Sequence, residues 1–130
     1  MDEAAVGRLV AAHPGEFAGT YVDGAGVVVV VCAPGADDAV WRPRLESVAG
    51  GRPLRVERGT ASAVELAWVL ARLRDFDWPS GRPAYGAVVD PRRCVVVVQV
   101  ESLPENDKRA LARRFGALVV VDEGYRPGRR

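Results

Sequence analysis

"VDGAGVVVVV" (Val22–Val31) and "VVDPRRCVVVV" (Val88–Val98) decide the fold. Each places a Val-Asp pair before three residues and then a run dominated by valine. β-Branched side chains are stiff and fit a pleated surface, so both runs read as strands. Gly24-Ala25-Gly26 and Pro91-Arg92-Arg93 supply the turns between an incoming and a returning strand. The reading is two hairpins, residues 17–22 with 27–33 and residues 85–89 with 94–100. Asp23 and Asp90 then fall at equivalent hairpin ends, where an aspartate side chain accepts hydrogen bonds from turn amides.

The segments after the two hairpins also match. After the first, Asp37 or Asp38 caps a helix from Ala39 to about Val48; Pro43 lies in or near its first turn and Gly50-Gly51 ends it. A short strand, residues 53–57, follows. After the second hairpin, Ser102 and Glu105 form a Ser-x-x-Glu capping box. Pro104 lies in the first turn, Leu111 and Phe115 face inward, and Gly116 closes the helix. A last strand covers Leu118–Val121. This is a β-β-α-β order used twice. Between the copies, Ser62 and Glu65 form another capping box, and Leu66, Val69, Leu70 and Leu73 recur on one helical face. Ahead of both, Val6, Leu9 and Val10 mark a short helix stopped by His13-Pro14.

The expected fold class is α+β: an antiparallel sheet from two related β-β-α-β units, helices packed on one face and a connecting helix between. Its 130 residues suit one domain. The boundaries are an N-terminal helix or arm (1–15), a first unit (17–57), the connecting helix (61–75), a second unit (84–122) and a polar tail (123–130). Valine runs apolar on both faces belong in central strands. A face that helices leave open must be covered by a partner protein or a second copy of the chain.

Composition narrows the function. The chain is 48% hydrophobic and 27% charged with a formal net charge of +1, so no global field recruits nucleic acid or an anionic membrane. Lys108, Arg109, Arg113 and Arg114 sit among Glu105 and Asp107, as on a solvated helix face. The start, Met1–Ala12, opens with Asp2 and Glu3 and lacks the features of a signal peptide, which reads as cytoplasmic. Cys32 and Cys94 end apolar runs, as buried small hydrophobes do. Two cysteines and the single histidine, His13, do not make a conventional zinc site, and no cofactor motif is present: Gly24-Ala25-Gly26 lacks the lysine and helix of a phosphate loop. Trp41 and Trp68 lie in helices and are expected in the core. The loop "DFDWPSGRPAYG" (Asp75–Gly86) carries Phe76, Trp78 and Tyr85. Such rings either cover the core beneath the loop or anchor a ligand.

The stretches "FAGTYVDGAGVVVVV", "PLRVERGTASAVELAWVLARL" and "AYGAVVDPRRCVVVVQV" together resemble the prodomain-like segments of secreted bacterial chymotrypsin-fold proteases, the alpha-lytic protease and streptogrisin type. The likeness spans roughly Phe17 to Val121. It implies a fold-assisting and inhibitory module that lays a C-terminal strand and tail against a protease. Carried over, the interface falls on Leu118, Val119, Val120 and Val121 and on the tail Asp122–Tyr125. The reading departs from the family in three ways: no protease domain and no signal peptide are expected within these 130 residues, and Arg92 or Arg93 stands where the second turn usually has Asn. The expectation is a non-catalytic protein-binding module with a protein partner or a second copy. Its candidate contacts are Phe76, Trp78, Tyr85, Leu118, Val119, Val120, Val121 and Tyr125. The alternative is a small-molecule or peptide sensor using the aromatic loop near Trp78. An enzyme built on carboxylates such as Asp90 and Glu101 is the least favoured class.

Overall fold

A computed structural model describes residues 3–125. The element order is α1 (Glu3–Ala11), β1 (Phe17–Val22), β2 (Val28–Cys32), α2 (Asp38–Ala49), β3 (Leu54–Arg58), α3 (Ala63–Arg74), β4 (Tyr85–Asp90), β5 (Val95–Val100), α4 (Glu105–Phe115) and β6 (Val119–Glu123). The α+β class and the doubled β-β-α-β order both hold. The strands form two three-stranded sheets, β1-β2-β3 and β4-β5-β6, rather than one. Each sheet is mixed: β1 and β4 run antiparallel to β2 and β5, whereas β3 and β6 run parallel to them. A helical crossover from one strand to its neighbour returns the chain in the same direction, so the parallel pair follows from the β-α-β half of each unit. By their contacts the residues form two compact units that divide between Glu65 and Leu66, with the turn Pro91–Cys94 grouped with the first.

In the first unit the hairpin closes as its sequence requires. One carboxylate oxygen of Asp23 accepts hydrogen bonds from the Ala25 and Val27 amides at 2.9 and 3.0 Å, and the other takes Arg55 Nη1 at 2.7 Å. The Val27 amide, ahead of Arg55, holds this carboxyl below the usual aspartate range. Helix α2 is capped by Asp37, which accepts from the Ala39 amide at 2.9 Å, and Gly50 ends it in the left-handed region at φ 61°. Pro43 lies inside this helix, not at its start. Trp41, Leu45 and Ala49, four apart, bury one stripe of α2 against Val6, Val10, Phe17, Val28, Val30 and Cys32. The His13 and Phe17 rings stand 4.6 and 4.9 Å from Trp41.

Both valine runs are the central strands. All five residues of β2 are buried, as are all of β5 except the partly open Gln99. In the first unit Val28, Val30 and Cys32 of β2 face the core under α2. Cys32 and Cys94 are buried free thiols. Burial pushes the Cys32 thiol up, and Cys94 Sγ donates to the Ala61 carbonyl at 3.4 Å. Cys94 closes the second hairpin turn at φ 58°, a region few non-glycine residues enter.

The two capping boxes fare differently. Ser62 and Glu65 form both reciprocal bonds, Glu65 N to Ser62 Oγ at 3.2 Å and Ser62 N to Glu65 Oε1 at 3.0 Å. Ser102 forms no cap: Pro104 occupies the N-cap of α4 without a side-chain bond, and its carbonyl accepts from the Asp107 and Lys108 amides. Among the described residues no helix is long and apolar enough to cross a membrane.

Candidate functional site

The candidate partner contacts read from the sequence all lie in the second unit, on two separate surfaces. The first is the Pro/Gly loop after α3. Phe76 meets Trp78 edge-on at 4.9 Å and Phe115 of α4 at 5.9 Å, and Trp78 meets Tyr85 at 5.2 Å. Trp78 is 5% exposed, so this ring covers core; Phe76 and Tyr85 are half-buried. Polar contacts fasten the loop at both ends. Tyr85 Oη donates to the Leu73 carbonyl at 3.3 Å, and Arg82 Nη2 donates to the Arg74 carbonyl at 2.5 Å. Ser80 donates its Oγ to Asp107 Oδ1 at 2.6 Å and its amide to Oδ2 at 3.4 Å. Asp107 is wholly buried, and its place in the first turn of α4 sets its charge at the positive end of the helix.

Beside this cluster lies Trp68, expected in the core but 43% exposed. The helical wheel explains the error: Leu66, Val69 and Leu73 are the buried stripe of α3, and residue 68 falls on the far side of it. Two guanidinium groups stand near its ring, Arg72 Cζ 5.6 Å and Arg114 Cζ 5.1 Å from the centroid, and Arg114 is also 5.2 Å from the Phe115 centroid. A cavity of about 370 Å³ opens here, lined by Arg72, Asp75, Phe76, Asp77 and Arg114. Of the expected contacts it contains Phe76 alone.

The second surface is β6. Val119, Val120 and Val121 form an edge strand, half-buried and hydrogen-bonded only to β5 within the sheet. Leu118 precedes it in a single 3₁₀ turn. The strand runs two residues past its expected end, to Glu123, which fastens it to α4: Oε1 takes Lys108 Nζ at 2.7 Å and Oε2 takes the Leu103 amide at 3.0 Å. Lys108 first, then that amide, holds the Glu123 carboxyl below its ordinary value. Gly124 and Tyr125 continue the pairing, their amides donating to the carbonyls of Glu101 and Val100 at 2.9 Å. The Tyr125 ring lies over the bare Cα of Gly86 in β4. The expected tail therefore belongs to the sheet as far as residue 125; residues 126–130 lie outside the described range.

No protein-family model matches the chain, and no curated protein matches it.

Asp23 is committed to its turn and to Arg55. His13 packs on Trp41. Among the described residues no three side chains of His, Cys, Asp or Glu gather as metal ligands would.

Proposed function

We propose that this chain is a non-catalytic protein-binding module that captures an extended segment of a partner protein along the outer edge of β6. The observation that carries the reading is the edge itself. Three consecutive valines sit half-buried on a strand paired on one side only. Natural sheets blunt such edges with charge, proline or bulges. In β6 the acids Asp122 and Glu123 come only after the valines. Main-chain pairing along an open edge gives affinity from backbone hydrogen bonds and selectivity from alternate side chains. The likeness to protease prodomains names the first partner to try, a bacterial chymotrypsin-fold serine protease.

The test is inhibition of such a protease, together with its refolding yield, with and without the purified chain. Successive strand residues turn their N–H groups to opposite sides, so proline placed in turn at 119, 120 and 121 separates the effects. A proline on the β5 side destabilises the fold. A proline on the open side leaves the fold intact and removes inhibition. Neither inhibition nor improved refolding, with no complex on a sizing column, sinks the reading. So does inhibition that an open-side proline leaves unchanged.

A further inference from the structure

We propose that the cavity beside Phe76 binds a small zwitterion, a free α-amino acid with an apolar side chain. Its volume, about 370 Å³, is at the low end for small-molecule sites. Two cations and two carboxylates line it: Arg72 from the last turn of α3, Asp75 and Asp77 from the loop, and Arg114 from the last turn of α4. Among the described residues none of the four side chains is in an ion pair. The two guanidinium groups rest instead near the Trp68 and Phe115 rings. Stacking on an aromatic face holds a guanidinium in place and leaves its N–H edge to grip a carboxylate.

The formal charge of the lining sums to zero, which selects the ligand. A plain anion loses near Asp75 and Asp77 much of what it gains at the arginines, and a plain cation the reverse. A molecule carrying both charges uses both pairs. Phe76 supplies the apolar wall, held on its other sides by Trp78 and Phe115. The same cluster keeps an uncommitted donor, since the buried Nε1–H of Trp78 has no acceptor among the described residues. Native proteins leave few such donors unmet. The site is independent of the β6 edge and stands if that reading fails.

The experiment titrates the intact chain with phenylalanine, phenylpropionate and phenethylamine, reading tryptophan emission and binding heat. Phenylalanine is expected to bind saturably. Each half-charged analogue is expected to bind at least about tenfold more weakly, because each loses one charge-assisted contact. Arg114→Gln should abolish phenylalanine binding without changing far-UV circular dichroism or the melting temperature. The double variant Asp75→Asn, Asp77→Asn should bring phenylpropionate level with phenylalanine. Phenylpropionate binding as tightly as phenylalanine to the unaltered chain overturns the proposal in favour of a simple anion site. No saturable binding of phenylalanine, leucine or tryptophan up to about 10 mM overturns it outright, as does full binding by the folded Arg114→Gln variant.

Discussion

Helices α2 and α4 occupy the same place in the two β-β-α-β units, and each buries three residues four apart. In α2 these are Trp41, Leu45 and Ala49; in α4 they are Asp107, Leu111 and Phe115. The central leucine is common to both. The first position is where they part. In the first unit it holds a large ring packed among His13 and Phe17. In the second it holds a buried carboxylate that takes both donors of Ser80. One scaffold position thus closes a core in one copy and staples a loop in the other. The loop it staples carries the aromatic cluster and one wall of the cavity. The first unit is organised around its own packing; the second gives up a core position to hold a surface feature in place.

The largest expected effect tests what the units share. Leu45→Ala and Leu111→Ala each remove a fully buried side chain, and each should cost about 2–5 kcal/mol in chemical denaturation. If the units unfold cooperatively, both variants shift one transition by similar amounts. Two transitions, each moved by one variant alone, would show that the units are stable separately.

Asp107→Ala breaks the difference between them. It strands the Ser80 donors and should cost about 1–3 kcal/mol. Unlike any substitution in α2, it should also release the loop, raising protease cleavage between 77 and 83 and changing Trp78 emission. Cleavage no faster than in the unaltered chain would mean that the aromatic rings alone hold the loop.

A smaller effect separates two identical sequence motifs. Ser62→Ala removes a formed cap and should cost about 1 kcal/mol, whereas Ser102→Ala should be nearly neutral in the same melt. Equal losses would contradict the cap geometry of α4.

The smallest effect is in acid. Asp23 and Glu123 are held below their ordinary carboxyl values, one in each unit. Their contribution is complete above the unfolded carboxyl range, near pH 4, and is lost as pH falls through the lower folded values. Glu123→Gln should flatten the acid limb of the stability curve and leave stability at pH 7 to pH 9 parallel to that of the unaltered chain.

The sequence shows what neighbouring residues decide. Asp23 and its turn, the Ser62–Glu65 box, the inward stripe of α3 and the central valines were all legible, because each rests on residues within one turn or one strand. The direction of β3 and β6 was misread as antiparallel: alternation of side chains reads the same for both pairings, and the helical crossover in the β-α-β order was the signal that decides it. Ser102 misled because a capping box is a spacing, and Pro104 took the cap position. For the candidate site, composition picked out the aromatic loop. It missed Arg72 and Arg114, which meet only when α3 and α4 come together, and it missed Asp107, whose tie to Ser80 spans 27 positions.

The parallel third strands also set an order of assembly. Each valine hairpin joins neighbours in the chain through a few turn residues, whereas β3 and β6 return only after a helix has been laid down. Closing the longer connection costs more chain entropy before any pairing repays it. Substitutions in the hairpin turns around Asp23 and Asp90 should therefore act mainly on the folding rate, and substitutions in β3 and β6 on the unfolding rate. On this order the β6 edge is completed last, and the valine hairpin behind it forms without it.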